Sequence, residues 1–166
     1  MKKCWTMALA LLLCGCHPAP PPGPTELEVA DGDHKTALTV LVPRVVDLSL
    51  HDTPYAGQVK AGVMPVPGTS GDVLLRLRVN PEGPDLKASA RHQVADVLGH
   101  MLVVMNHRQI HKIRCFVSVD NTPVEEDDLV PGSVETKDLK VGDVVPPERI
   151  EPQLQPSDDH WDRLKK

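Results

Sequence analysis

The chain has very few aromatic residues: two Trp, one Tyr and one Phe among 166 residues. Beyond residue 15 only Tyr55, Phe116 and Trp161 remain. Sites for single-stranded nucleic acid stack bases on aromatic rings, and carbohydrate sites use similar stacking, so this composition supports neither function. The hydrophobic core must instead be aliphatic, built from Val, Leu, Ile and Met.

A long apolar run is also missing. The amino terminus carries two lysines, Lys2 and Lys3, followed by an apolar stretch over residues 5–16. This stretch is shorter than the roughly 20 residues that span a bilayer. A basic start followed by a short apolar segment is typical of a secretory signal, so we predict a signal peptide over residues 1–15 and no permanent transmembrane helix.

The junction Leu13-Cys14-Gly15-Cys16 resembles the lipobox of bacterial lipoproteins. The resemblance implies cleavage before Cys16, a diacylglycerol on its sulfur and acylation of the new amino terminus. It also implies sorting to the outer membrane, facing the periplasm, because His17 rather than Asp follows the cysteine. An ordinary signal peptide that happens to contain cysteines is the alternative. Several fatty chains give the lasting anchorage that one chain does not.

Few cysteines and few positive charges would remain after processing. Cys16 would carry lipid and Cys115 would be alone, so no intramolecular disulfide is expected. Cys115 lies in an apolar strand pattern, which is typical of a buried small hydrophobe. Removal of Lys2 and Lys3 changes the net charge from −5 to −7, which argues against nucleic acid and against electrostatic docking onto anionic lipid.

Proline divides the chain into a lipidated linker, a domain and a tail. Residues 17–24 contain five prolines and favour extended polyproline II, which would hold a domain away from the membrane. We predict a lipidated linker over 16–35, an ordered domain over 36–145 and a charged, Pro-rich tail over 146–166.

The hydrophobic pattern within 36–145 predicts an α+β fold: one long helix packed on a small, mostly antiparallel sheet. An apolar stripe at helical spacing predicts a helix over about 85–106. Pro43 separates two of the predicted strands and suggests a sheet edge or a bulge there. The predicted strands are 36–42, 45–50, 58–66, 72–79 and 113–119, with a possible hairpin at 138–145. The acidic stretch 125–128 is expected to be a solvated loop.

No arrangement of residues predicts an enzyme or a cofactor. The sequence has no nucleophile elbow, phosphate-binding loop or paired redox cysteines. His100, His107 and His111 share one side of an ideal helix, but His100 and His107 are ~10.5 Å apart along its axis, too far for one zinc ion. His107 and His111 at four-residue spacing leave a transition-metal site as an alternative function.

The stretch 72–122 resembles the first half of an OmpA-like peptidoglycan-binding domain, in its order of strand, long helix and strand and in the Asp120-Asn121-Thr122-Pro123 segment. Residues 145–150 are similar to the connection before that family's final strand. The resemblance implies that Asp120 holds the diaminopimelate of a wall peptide. The chain departs from the family pattern at Ser118 and Val119, which replace His-Thr, and at Glu135, which stands where an arginine is expected.

These patterns favour a non-enzymatic envelope lipoprotein that contacts another protein, with peptidoglycan association as an alternative. Trp161 in the charged tail suggests a short docking peptide, because tryptophan is enriched at interaction hot spots. A strand edge near Pro43 would allow a partner strand to pair with the sheet. The predicted binding residues are therefore Asp120 and Trp161, and Cys16 is the predicted lipid-attachment residue.

Overall fold

A computed structural model describes residues 23–164. The predicted signal peptide and Cys16 lie outside this range. The four α-helices are α1 Glu26–Gly32, α2 Leu38–Leu50, α3 Leu86–His107 and α4 Pro147–Ile150. The five strands are β1 Val59–Met64, β2 Asp72–Arg78, β3 Lys112–Val119, β4 Thr122–Leu129 and β5 Gln155–Asp159. Short 3-10 turns occupy Pro131–Ser133, Glu151–Gln153 and Trp161–Leu164.

The strands form one sheet in the order β1-β2-β3-β4-β5. Only β2 and β3 are parallel, and α3 connects them; the other neighbours are antiparallel. The predicted α+β class, with one long helix on a mostly antiparallel sheet, is therefore confirmed. No helix within residues 23–164 is both long enough and apolar enough to cross a bilayer.

The core lies between α3 and one face of the sheet. Asp85 caps α3, its side chain accepting a hydrogen bond from the backbone N–H of Ala88 at 3.0 Å. Inward-pointing aliphatic side chains alternate along each central strand, such as Val73, Leu75 and Leu77 on β2. The buried positions of α3 are Ala90, Val94, Ala95, Val97, Leu98, Gly99, Met101, Leu102, Val103, Val104 and Met105.

The region predicted as two strands around Pro43 is helical, and that prediction was wrong. Leu41, Val42, Val45 and Val46 are all buried, and their spacing places them on one side of a helix. Pro43 removes one backbone hydrogen bond inside α2, and burial of this aliphatic side offsets the loss. The sheet edge expected near Pro43 is therefore absent, and the edges are β1 and β5.

The acidic stretch 125–128 is not a loop but the middle of β4. A tight turn at Asp120 and Asn121 joins β3 to β4, and both residues have positive φ, 47° and 64°. Such values are typical of two-residue hairpin turns. Periodicity failed to predict β4 because acidic residues occupy two of its inward positions.

The packed structure extends beyond the predicted 36–145 at both ends. Residues 26–32 form α1, within the expected linker, and Thr25 and Glu28 cap each other's backbone N–H groups. At the other end α4 and β5 pack against the domain, with Ile150 fully buried. The hairpin expected at 138–145 was wrong, since the segment contains turns and no strand.

Gly99 is the point of closest approach between α3 and the segment before α4. The backbone N–H of Val145 donates to the Gly99 carbonyl at 3.0 Å, and a Cβ on Gly99 would lie 2.2 Å from the Val145 carbonyl oxygen. A side chain here therefore forces the segment away from the helix.

We predict that Gly99→Ala lowers the free energy of unfolding by about 1–3 kcal/mol, although alanine has the higher helix propensity. Urea unfolding followed by circular dichroism measures the change. Gly132→Ala is the matched control, because nothing lies within 4 Å of its added Cβ and its stability should stay within ~0.5 kcal/mol. Equal stability of Gly99→Ala and the wild type would contradict the packing described.

Candidate functional site

One face of the sheet is free of helices across the described residues. We call it the open face; it carries the side chains that alternate with the buried ones on β1 to β4. The register aligns them in rows across the sheet, and one row reads Lys60, Arg76, Phe116, Glu126. The adjoining row reads Gly62, Leu74, Arg114, Asp128. Charge therefore changes from basic at β1 to acidic at β4.

The basic side of the open face contains two cations with no carboxylate partner among residues 23–164. Lys60 and Arg76 are exposed and lie directly opposite each other on β1 and β2. Like charges at opposite positions of an antiparallel pair destabilise a sheet. Nearby, Arg78 donates a hydrogen bond to the Asn121 side chain at 2.7 Å. We call Lys60, Arg76 and Arg78 the cationic strip.

A shallow recess lies beside this strip. It is lined by Lys60, Ala61, Gly62, Leu74, Arg76 and Phe116. Gly62 has no side chain to fill the space above the sheet, and nothing lies within 4 Å of a Cβ built there. Leu74 and Phe116 are half-buried, so the recess combines an apolar floor with a cationic rim.

On the acidic side of the open face, the Asp128 carboxylate is neutralised by two cations of β3. The Asp128 carboxylate accepts from Lys112 Nζ at 3.2 Å and from Arg114 Nε at 3.0 Å. One carboxylate thus pairs with two cations of β3, and the open-face cations left without a carboxylate partner among residues 23–164 are Lys60, Arg76 and Arg78. The open face therefore has positive charge that a ligand can reach at its β1 side, on Lys60 and Arg76.

A second unusual feature lies on the covered face of β4. Glu125 and Asp127 are 3% and 1% exposed, and we call them the buried carboxylate pair. Both Asp127 oxygens and Glu125 Oε1 lack a hydrogen-bond partner among the described residues. Burial raises the pKa of Asp127 to about 6, and the Glu125 charge adds to this shift, whereas Arg91 and Lys87 oppose it.

Trp161 packs onto this pair rather than extending into solvent. Its ring is half-buried against the core, and its Nε1–H donates to Glu125 Oε2 at 2.9 Å. Arg163 and Lys87 hold the same segment, through the Pro123 carbonyl at 3.3 Å and through Asp159. This intramolecular packing gives Trp161 a structural role, and its service as a docking peptide stays a prediction.

Asp120 occupies the β3–β4 turn and is exposed. Its left-handed backbone suits Asp or Asn without reference to a ligand. Peptidoglycan contact through Asp120 stays a prediction.

The three histidines of the metal hypothesis have separate carboxylate neighbours, and that of His100 is Asp96, whose Oδ1 lies 4.0 Å from its Nε2. His107 Nδ1 lies 3.0 Å from Asp31, and His111 Nδ1 lies 2.8 Å from Asp72. α3 ends at His107, so His107 and His111 do not share one helical side. Within residues 23–164 no three potential ligands converge on a metal position.

Two features of these surfaces were accessible from the sequence. Alternation on β2 places Arg76 and Arg78 opposite its buried side chains, and the predicted burial of Cys115 is confirmed. Burial also raises the pKa of the Cys115 thiol. The sequence does not predict that Lys60 lies opposite Arg76, because that depends on the register between β1 and β2. It does not predict the buried carboxylate pair either, because charged residues are usually exposed to solvent.

We predict that Asp127→Asn raises stability above pH 7 by up to about 3 kcal/mol. A carboxyl group with a raised pKa in the folded state stabilises the fold below its unfolded value, near pH 3.8. That contribution is lost as pH rises through about 6, where Asp127 becomes charged in the folded state. The gain in stability from the Asp127→Asn substitution should therefore be largest above pH 7 and should vanish towards pH 4. Urea unfolding between pH 4 and 8 measures it.

Asp128→Asn is the neighbouring control for this prediction. Its carboxylate pairs with Lys112 and Arg114 on the open face, so the amide should reduce stability at neutral pH. A loss of stability in both variants at pH 7.5 would contradict the prediction, because it would show that nearby cations stabilise the buried Asp127 carboxylate more than burial destabilises it.

Comparisons with protein-family models, with curated protein sequences and with solved structures give no match to this chain. A functional proposal therefore depends on the chain's own residues: the open face with its cationic strip, and the buried carboxylate pair.

Proposed function

We propose that the protein is a membrane-anchored lipoprotein of the bacterial cell envelope that acts non-enzymatically as a protein-interaction module. The open face of the sheet carries this proposal. It exposes Phe116 and Leu74 beside the cationic strip, which is the mixture of apolar floor and polar rim found in protein interfaces.

The anchor is supported by the Leu13-Cys14-Gly15-Cys16 junction and by the proline segment that follows it. If the eight residues 17–24 adopt polyproline II, as their prolines predict, they would span roughly 25 Å at 3.1 Å per residue. This length would separate the domain from the lipid headgroups and leave space for a partner.

The position of α1 is compatible with both parts of the proposal. The described chain begins at the helical layer, where α1 contacts α2 and α2 contacts β1 and α3. A tether that enters there leaves the open face unobstructed on the opposite side of the sheet. The anchor and the proposed interface therefore do not compete for one surface.

The anchoring is tested on protein purified from its native membranes. We expect mass spectrometry to find acyl chains on Cys16 as the first residue, and Cys16→Ser to move the protein out of the membrane fraction. Total protein in both strains is measured by immunoblot as a control for degradation. An unmodified Cys16 sulfur would overturn the lipoprotein assignment.

The interaction role is tested with a photo-reactive amino acid at position 74 on the open face. We expect this position to crosslink in intact cells to one defined envelope protein, and Phe116→Ser to reduce the crosslink at least about tenfold, as for loss of an interface hot spot. Val40, an exposed residue of α2 at 64% exposure, is the control position. Equal crosslinking from positions 74 and 40 would argue against the open face as the interface.

A further inference from the structure

The free edge of β1 adjoins the cationic strip. β1 is a terminal strand of the sheet, and Arg78 N–H donates to the Gln58 carbonyl at 3.1 Å. In an antiparallel ladder the directly bonded pairs alternate, so the Gln58 carbonyl and the backbone groups of Lys60 and Gly62 point towards β2. The N–H and C=O groups of Val59, Ala61 and Val63 therefore point outward.

The two edges of the sheet differ in how they resist pairing. β5 contains Pro156 together with Asp158 and Asp159, and proline and charge at an edge discourage the addition of a strand. β1 has no proline and one charged residue, Lys60. Of these two edges, β1 is the one suited to accept another strand.

We propose that β1 binds an extended acidic segment of a partner protein, which adds to the sheet as a sixth strand. This inference rests on the proposed interaction function and specifies the partner's chemistry. Backbone pairing with Ala61 and Val63 would supply affinity, and side chains on the open face would supply specificity. Acidic side chains of the added strand reach Lys60 and Arg76, and an apolar side chain enters the recess beside Gly62.

Charge selects this occupant over a membrane surface. An anionic bilayer laid on the open face would meet Glu126, which has no cationic partner among the described residues, as well as the cationic strip, because both lie on the same side of one sheet. Asp128 on that side is already paired with Lys112 and Arg114. A single strand beside β1 meets only the basic side. Its carboxylates would also relieve the repulsion between Lys60 and Arg76, which are opposed without a counter-ion among the described residues.

A second copy of the chain is a poorer occupant. Pairing of two β1 edges would bring a second Lys60 close to the Lys60 and Arg76 of the first copy, where no carboxylate neutralises them among the described residues. A partner of opposite charge gains the attraction instead, and this attraction should weaken with salt.

The test begins with a phage library of random ten-residue peptides selected on the purified full-length protein. We expect the selected peptides to be enriched in Asp and Glu and to lack internal proline. Binding of synthetic selected peptides, measured by fluorescence anisotropy, should fall at least about tenfold in a Lys60→Gln/Arg76→Gln variant and should weaken with added NaCl. Lys35→Gln/Arg44→Gln removes two exposed cations from the helical layer and should bind as the wild type does.

The edge is tested separately. Ala61→Pro removes an outward N–H, whereas Ala61→Val retains it, so only the proline variant should lose binding. Hydrogen exchange on the wild type keeps the test decisive if the proline variant unfolds: a selected peptide should slow exchange at the amides of Ala61 and Val63 more than at Lys60.

Several results would overturn the inference. Selected peptides without acidic enrichment, unchanged binding to the Lys60→Gln/Arg76→Gln variant, or unchanged exchange at Ala61 and Val63 would each do so.

Other results would favour a different occupant. A membrane surface would be favoured if the library yields no binding peptide, and if unlipidated Cys16→Ser protein binds phosphatidylglycerol vesicles and loses that binding in the same double variant. A dimer in sedimentation that excludes peptide would favour self-pairing. An unmodified Cys16 would remove the anchor while leaving the peptide result intact, so the two failures are distinguishable.

Discussion

The packing of α3 across one face of the sheet determines which residues stay available at the surface. Its aliphatic side covers the inward residues of the central strands. α2 extends the same layer over β1, and α1 packs against α2. All of this burial lies on one side. The alternate residues of β1 to β4 therefore remain outside the core, and the open face is a consequence of where the helices lie.

Charge is distributed unevenly between the two faces. The open face carries Lys60, Arg76 and Arg78 although the chain as a whole is acidic. The covered face carries Glu125, which accepts one hydrogen bond from Trp161, and Asp127, whose carboxylate has no hydrogen-bond partner among the described residues and is costly to bury. Like charges are therefore placed together on both faces. The cationic strip would be stabilised by a negative charge from outside the chain, whereas burial favours the protonated form of Asp127.

The parts of the fold predicted from the sequence are those where hydrophobic periodicity is unambiguous. β2 and β3 alternate strictly, and α3 repeats its apolar residues at helical spacing between Asp85 and His107. The missed elements break these rules for local reasons. α2 is rich in valine and contains Pro43, which together favoured strands, although the spacing of Leu41, Val42, Val45 and Val46 is helical. β4 has carboxylates at inward positions, so its alternation carries no hydrophobic signal; the Asp120-Asn121 turn was the available clue.

Part of the candidate interface is likewise predictable from local sequence patterns, and part of it is not. Alternation alone is enough to place Arg76 and Arg78 on one side of β2. Their relation to Lys60 and to Phe116 requires strand register, which no local pattern specifies. Identifying β1 as an edge strand also requires the strand order of the sheet, which the sequence of one strand does not specify.

Arg108 has a mechanical consequence for an anchored protein. Its guanidinium is largely buried and donates to the backbone carbonyls of Ala30, Asp31 and Asp33, joining the end of α3 to the chain around α1. If the amino terminus is anchored in a bilayer as proposed, a pull on the domain would enter the described fold at α1. The Arg108 hydrogen bonds, together with the packing of α1 on α2, would then transmit the pull to the core helix.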